Sequence, residues 1–492
     1  MTLDADAAYQ ALAARDARFD GRLFVGVTST GVYCRPICRV RTPLRRNCRF
    51  FETPAQAEAA SFRPCLKCRP EIAPGAGLPW SVMDASRTLA RQAVQELNAQ
   101  AASGEAASLA ALAQRLGVSD RHLRRIFLAE QGVTPMQYLQ TRRLLLAKQL
   151  LTDSAMPVAQ VALASGFRSL RRFNAAFAEH YRMSPSRLRG DAERDPVTSS
   201  PLDAVSITLG YRAPLDHAAL LRFIAQRAIP GIEEVEGLAV RRTVRAGVLG
   251  ETAGWLEARF ELERDRVELR FAPALAAASA RVAAAARRWL DLDAAPAHID
   301  AALAGLPGAP GIRLPGSLDT FELAVRAVLG QQVTVAAART LARRLVEAFG
   351  TAVASPWPQL DRQFVAPERL ACASVAEIAG LGIVRQRAQA LLALADAWPG
   401  LETLMTPATA PEDFIAALCE LPGIGPWTAH YVAMRALGWP DAFPPNDVAV
   451  LKAMQRLHGL AGQRAADAHA QAWRPWRSYA VLRLWNSLET QT

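Results

Sequence analysis

Four cysteines set in two close pairs constrain the fold of this chain more than any other feature. Cys34-x3-Cys38 is followed, after 26 intervening residues, by Cys65-x2-Cys68. Two short loops that each present two sulfurs have the spacing of a tetrahedral four-thiolate zinc centre. Such a centre is either a plain knuckle that staples a small fold or a site of thiolate chemistry, and spacing alone leaves both open. Of the seven cysteines, Cys48 lies between the pairs and outside the motif, as a small packed residue, and Cys372 and Cys419 stand alone. The opening MTLDADAAYQ has acidic residues and no apolar run, so no secretory signal is read there. An odd number of thiols in that setting points to a reducing, cytoplasmic compartment, where clustered cysteines mean metal chemistry and not disulfides.

Cations crowd the cluster: Arg35, Arg39, Arg41, Arg45, Arg46, Arg49, Arg63, Lys67 and Arg69. Four thiolates on Zn²⁺ would carry a net charge of −2, which nearby cations offset. The crowding belongs to a wider asymmetry. Residues 1–200 hold 28 basic and 17 acidic residues, and the remaining 29 of each cancel, so the whole net charge of +11 sits in the first two-fifths of the chain. A clustered basic region is the footprint of a polyanion, most often nucleic acid. At 492 residues, 51% hydrophobic and 21% charged, the chain has the apolar surface for several cores, which argues against disorder. Its least charged stretch, FAPALAAASARVAAAA, contains Arg281 and is too weakly apolar to span a bilayer, so no membrane partner is expected.

Short β-like runs, LFVGVTSTGVYC and CRFFET, fall between Pro and Gly breaks in residues 1–78. Residues 82–190 carry helical periodicity, with Ser119 as an N-cap, and the polar, Pro-flanked GDAERDPVTSSP makes a linker. Alternating segments within 202–292, LAVRRTVRAGVLG and RFELERDRVELRF, predict strands flanked by helices, and from about 295 the pattern is helical with short turns. One repeat of about 50 residues stands out. Its first unit runs through Gly117, Phe127 and Thr134-Pro135, its second through Gly166, Phe177 and Ser184-Pro185. Leu112, Ala113, Leu116, Gly117, Val118, Leu123 and Ile126 keep the rhythm of a helix-turn-helix, and Ala162 with Gly166-Phe167 repeats it. Arg121, Arg124 and Arg125 then fall on one recognition helix, and Arg168, Arg171 and Arg172 on the other.

These residues resemble two known families. YCRPICRVR…FRPCLKCRP is similar to the N-terminal zinc domain of Ada-type methyl-phosphotriester repair proteins over about residues 4–72. The resemblance implies one Zn²⁺ held by Cys34, Cys38, Cys65 and Cys68, with Cys34 taking a methyl group from a DNA phosphate triester once only. The paired helix-turn-helix units resemble the AraC-type regulatory domain over about 82–189. That implies promoter DNA as a partner, transcriptional activation, and RNA polymerase as a further partner.

In LPGIGPWTAHYVAMRALG, 421–438, Pro and two glycines form a short turn between helices. Backbone N–H groups at Gly423 and Gly425, opening the following helix, suit a DNA phosphate oxygen. AFPPNDVAVLK follows, with Asp447 just after a Pro pair. The combination resembles the helix-hairpin-helix, Gly/Pro, Asp superfamily of base-excision glycosylases. FELAVRAVLGQQVTVAAA and WRPWRSYAVLRLW narrow it to the DNA-3-methyladenine glycosylase II (AlkA) family over about 202–490. By this resemblance Asp447 is the catalytic carboxylate, and Phe223, Trp427, Tyr431 and Trp485 are the aromatics that stack on a cationic, alkylated base. Gln332 stands at the wedge position, where an apolar residue occurs in the family, and Asn446 at a position where acidic residues occur. Trp427 replaces the lysine of lyase-active relatives, and no cysteine after Cys419 could ligate an iron–sulfur cluster, which implies a monofunctional hydrolase.

The expected fold class is therefore multidomain and mainly α with α+β parts. The expected divisions are a zinc methyl-acceptor domain (1–78), an AraC-type domain (79–190), a linker (191–201), an AlkA N-terminal-like α+β subdomain (202–300) and a helix-hairpin-helix glycosylase domain (301–492). Damaged and promoter sites in double-stranded DNA are the expected partners. Two rivals remain: a zinc-sensing regulator whose C-terminal half is non-catalytic, and a glycosylase of the same superfamily with another lesion specificity.

Overall fold

The computed structural model describes residues 4–75, 85–103, 108–192, 204–406 and 409–489. The linker expected at 191–201 lies, from residue 193 on, outside the described residues. Among the described residues no helix is long and apolar enough to cross a membrane. The chain divides into two compact units, Met1–Ala213 with Phe260–Ala284, and Pro214–Arg259 with Ala285–Thr492. The stretch 202–300 thus contributes to both.

In the first unit, the β-like runs become a four-stranded sheet in the order Cys48–Phe51, Phe24–Val27, Val32–Cys34, Arg63–Pro64. Alternation along the strands gives the sheet two apolar faces. Val25 packs with Leu23, Cys48 and the helix residues Ala8, Ala11 and Leu12, while Phe24 packs with Tyr33, Ala57 and Phe62. Gly26 is needed between them, because an added Cβ would meet the Phe51 and Phe62 rings at 2.8 and 2.9 Å. The sheet's only parallel pairing, Val32 with Arg63 and Tyr33 with Pro64, brings the ends of two strands together. Those ends lead directly into the two cysteine loops.

The paired helix-turn-helix units follow. Helices Leu109–Arg115 and Asp120–Gln131 form the first, and Val158–Ala164 and Leu170–Tyr181 the second. Gly117 (φ +67°) and Gly166 (φ +82°) make the turns in the left-handed region. Small Ala113 and Ala162 are buried where the helices cross, and Phe127 and Phe177 are fully buried at matching positions. Ser119 caps the first recognition helix through the His122 N–H, and Ser169 caps the second through the Arg172 N–H. The long helix Pro135–Asp153 lies between the units in sequence and opens with a Thr134/Gln137 capping box.

Buried charges tie the sheet region to these helices. Lys148, 2% exposed, donates to Glu71 Oε2 at 2.5 Å, and Arg69 pairs with Glu71 Oε1 at 3.0 Å and with Asp153 at 2.6 Å. Removing one member of such a set leaves an uncompensated buried charge, typically at a cost of about 3–5 kcal/mol. On the helix Pro54–Ala59, Glu58 accepts from the Tyr33 hydroxyl at 2.9 Å and lies 2.6 Å from His180 Nε2 on the second recognition helix. Burial is the largest influence on His180 and works to lower its pKa, but the adjacent Glu58 carboxylate outweighs it and raises the pKa above 6.5. A cation with a raised folded-state pKa stabilises fully below its unfolded value and loses that contribution as pH climbs through the folded one. Thermal unfolding of the first unit is therefore expected at lower temperature at pH 8 than at pH 6. His180→Gln should flatten that dependence in differential scanning calorimetry, and an unchanged slope would remove His180 as its cause.

In the second unit, Ala239–Val244 pairs antiparallel with Glu233–Glu236 on one side and Gly254–Glu261 on the other. Arg242, buried in this sheet, donates to Glu233 and to Glu322 on the helix Thr320–Leu329, pinning the sheet to the helical core. That core collects Phe321, Leu345, Leu391, Trp398, Phe414, Val432 and Met454 among many others. The expected all-helical run from 295 is interrupted by a short antiparallel strand pair, Thr351–Ala352 with Arg362–Gln363.

Candidate functional site

The four predicted ligands converge. Cys34 ends the strand Val32–Cys34, and Cys38 follows in a turn closed by its N–H to the Arg35 carbonyl at 3.2 Å. Cys65 leaves the adjacent parallel strand with its N–H on the Tyr33 carbonyl at 2.9 Å, and Cys68 ends the second loop. Their four sulfurs lie within 4.8 Å of one another, with three of the residues buried and Cys68 half-buried. Sulfurs about 2.3 Å from a tetrahedral zinc are roughly 3.8 Å apart, so the donor set and its compactness fit Zn²⁺. Arg35 organises both loops. Its N–H donates to Cys68 Sγ at 3.3 Å, and its guanidinium donates to the Cys68 carbonyl at 3.1 Å and to buried Asp20. Cys48 is not part of this set. It packs with Leu23 and Val25, 3.4 Å from the Leu44 carbonyl, as a small apolar residue does.

All six predicted recognition arginines are exposed: Arg121, Arg124 and Arg125 on the first capped helix and Arg171 and Arg172 on the second, whereas Arg168 falls just before the Ser169 cap and not on the helix. Two of them have local partners: Arg124 donates to Asp120 at 3.0 Å, and Arg125 lies 3.1 Å from His122 Nδ1.

In the second unit, the helices Pro411–Cys419 and Pro426–Ala436 form the predicted hairpin. Gly423 holds φ +81°, and an added Cβ would sit 2.9 Å from Ala390 Cβ, so no other residue fits there without a shift. A Cβ at Gly425 would meet nothing within 4 Å, and the helix it opens has no side-chain cap. The N–H groups of that first turn therefore remain for an outside acceptor. Gln331 buttresses the turn, donating to the Gly423 carbonyl at 2.9 Å and Thr428 Oγ1 at 3.0 Å, while Arg387 donates to the Gln331 carbonyl. Gln332 is exposed beside it with φ +53°, a strained conformation for a side chain other than glycine.

Asp447 caps the helix Val448–His458 and is 5% exposed. Its Oδ1 accepts from Val450 N at 2.8 Å and from Trp485 Nε1 at 3.1 Å, and its Oδ2 accepts from Trp427 Nε1 at 2.8 Å. Trp427 and Tyr431 stack with centroids 5.4 Å apart and planes 7° from parallel, and Trp485 lies 6.3 Å from Tyr431. Four of the five predicted residues thus form one cluster. The ring of Phe223, the fifth, is covered by the protein's own cations, with Arg227 at 3.7 Å and Arg435 at 4.9 Å.

Arg435 was not singled out by the sequence. It donates to the Tyr431 hydroxyl at 2.8 Å and to the carbonyls of Pro315 and Gly316. Burial, the strongest influence on Tyr431, works to raise its pKa, yet Arg435, Arg227 and Arg326 together turn the net direction downward. The four-residue spacings Phe223/Arg227 and Tyr431/Arg435 on helices were the available signal.

A thiolate centre next to tandem helix-turn-helix units, followed by a hairpin and buried aspartate, defines a class: a DNA-binding regulator joined to a base-excision glycosylase. Family profiles match in that order. The metal binding domain of Ada matches residues 7–71, a helix-turn-helix domain 112–191, the AlkA N-terminal domain 206–319, and the HhH-GPD superfamily base excision DNA repair protein 325–478. The probable bifunctional transcriptional activator/DNA repair enzyme AlkA of Mycobacterium tuberculosis (strain ATCC 25618 / H37Rv) is 37% identical, covering 99% of this chain and 97% of the relative. DNA-3-methyladenine glycosylase 2 of Escherichia coli (strain K12) is 36% identical over 56% of this chain and 96% of its own length. The bifunctional transcriptional activator/DNA repair enzyme Ada of the same organism is 36% identical over 28% of this chain and 36% of its own. The chain belongs to the family of bifunctional Ada/AlkA-type transcriptional activators and DNA repair enzymes.

Proposed function

We propose that this chain excises alkylated purines of the 3-methyladenine type from double-stranded DNA and moves methyl groups from DNA methyl phosphotriesters onto Cys34, a transfer that switches on transcription. The excision reading is carried by Asp447, a buried carboxylate hydrogen-bonded by aromatic side chains, one of them from a hairpin helix that opens without a side-chain cap. As the bond between purine and sugar breaks, the base leaves with the electron pair and positive charge develops on the sugar. The Asp447 carboxylate stabilises that charge, and water completes the hydrolysis. Trp427, with no amine to offer, makes no Schiff base, so the strand stays intact. Gly423 and Gly425 hold a backbone phosphate, and Gln332 fills the space the flipped base leaves.

Held by Cys34, Cys38, Cys65 and Cys68, a Zn²⁺ ion would keep the four thiols deprotonated at neutral pH. The Cys34 thiolate attacks the methyl carbon, a sulfur–carbon bond forms, the carbon–oxygen bond breaks, and the phosphodiester departs as an anion. The sulfur cluster becomes less negative by one charge, which eases its approach to the DNA backbone while the six exposed arginines engage the promoter. The divisions 1–78, 79–190, 202–300 and 301–492 carry these tasks in order, in the cytoplasm and with RNA polymerase as the partner in activation.

Incubating the full chain with methylated DNA tests both halves at once. Free 3-methyladenine and a methyl group on the Cys34 peptide by mass spectrometry are the expected products. Affinity for promoter DNA should then rise, and the gain should shrink at high salt because it comes from charge. A methyl on another cysteine, or a salt-independent gain, would refute the transfer mechanism.

A further inference from the structure

The aromatic residues around Asp447 do more than line a pocket for the base. Resting on the glycosylase reading above, we infer that Trp427 and Trp485 are positioning residues for the Asp447 carboxylate, acting through their indole N–H groups.

Three helices bring donors to one carboxylate. Trp427 comes from the helix Pro426–Ala436, Trp485 from Arg477–Glu489, and the Val450 N–H from the helix that Asp447 itself caps. A carboxylate has about four acceptor positions, and these donors fill three, leaving one on Oδ2. An indole nitrogen donates and cannot accept, so neither tryptophan can take a proton from the acid or from water. What they can do is fix where the negative charge points.

The Trp427 indole is itself held in plane by a relay. Its ring lies parallel to Tyr431, the Tyr431 hydroxyl accepts from Arg435, and Arg435 is anchored on the Pro315 and Gly316 carbonyls. Rotating the Trp427 ring would break its stacking on Tyr431 and its bond to Oδ2 together. Phe223 meets this relay through Arg435, whose guanidinium lies over its ring together with that of Arg227. The cluster is thus built around the carboxylate.

The variant that separates the two roles is Trp427→Phe, which keeps an aromatic face and removes the donor. In excision of 3-methyladenine from duplex DNA by the full-length protein, kcat should fall about tenfold to a hundredfold, with KM within about twofold. Trp485→Phe should behave alike. Because the tryptophans act through Asp447, Trp427→Phe should cost nothing further in an Asp447→Asn background. A raised KM with normal kcat, or losses that multiply, would show that Trp427 serves only as a face for the base. A readout independent of activity uses protein labelled with ¹⁵N at its ten tryptophan indoles. Two indole N–H resonances, assigned by the Phe variants, should move markedly on Asp447→Ala, and their staying in place would overturn the inference. Full activity of Asp447→Asn would instead sink the underlying reading of Asp447, whatever the resonances do.

Discussion

Asp447→Asn is expected to reduce release of 3-methyladenine by at least about a hundredfold while leaving affinity for duplex DNA nearly unchanged. The side chain keeps its size, and its Oδ1 still caps the helix through the Val450 N–H, so the fold has little reason to change. What disappears is the negative charge and, because an amide NH2 cannot accept, the hydrogen bond from Trp427 Nε1 to the Oδ2 position. In a site only 5% exposed, stabilisation of a developing sugar cation by a fixed charge is poorly replaced by water. Removing one such preorganised group is typically worth on the order of 3 kcal/mol, which is the hundredfold. Binding should survive because the hairpin N–H groups at Gly423 and Gly425 and the Gln331 buttress lie outside the carboxylate's hydrogen bonds. Single-turnover kinetics beside a gel-shift titration would separate the two effects. Near-normal turnover would show that another group carries the reaction.

The parts of this molecule that were legible in advance are those whose chemistry is local in sequence. Two cysteine pairs, two turn glycines 49 residues apart in equivalent units, and a Pro-Gly hairpin each define their geometry within a few residues. Gly117, Gly166 and Gly423 accordingly sit in the predicted turns with positive φ, and Cys34 ends the strand that feeds its loop. The Asp447 cluster was legible only as a set of names, because the family resemblance implies which aromatics accompany the acid and not which edge faces it. The indole-to-carboxylate bonds span 20 and 38 residues, and nothing in the spacing of Trp427 or Trp485 specifies them.

The rest was illegible for one physical reason: it consists of charges buried by long-range packing. Lys148 meets Glu71 across 77 residues, Arg242 meets Glu322 across 80, and Arg435 reaches Pro315 across 120. In a sequence, each is an ordinary surface charge, since Lys, Arg and Glu are almost never fully buried unless paired. The partner that permits burial lies on another element. The segment 202–300 likewise reads in sequence as one α+β subdomain, although compactness places Phe260–Ala284 with the first unit and Pro214–Arg259 with the second.

Removing the metal should have the other large effect. Cys65→Ser is expected to lose the bound Zn²⁺ and unfold the N-terminal sheet, whereas Cys48→Ser should retain the metal in full. The sheet's fourth strand is only two residues long, Arg63–Pro64, and its parallel pairing ends where Cys65 hangs its N–H on the Tyr33 carbonyl. Two apolar clusters of a few residues each flank the sheet, too little core to stand alone. Zinc bound by a small thiolate fold contributes about 10–16 kcal/mol of apparent binding energy, which is folding energy when no site exists in the unfolded chain. The damage should spread, because Ala55 on the helix Pro54–Ala59 packs in the same core as Leu112, Leu123 and Phe127 of the first helix-turn-helix unit. Promoter binding should therefore fall with the metal, in Cys65→Ser and in wild-type protein stripped by a strong chelator. Cys48→Ser removes only a sulfur resting against the Leu44 carbonyl, and a serine hydroxyl can donate to the same oxygen. Atomic absorption on the purified proteins would measure one zinc per chain for wild type and Cys48→Ser and none for Cys65→Ser. Equal metal loss in the two variants would mean that the four-sulfur ligand set is wrong.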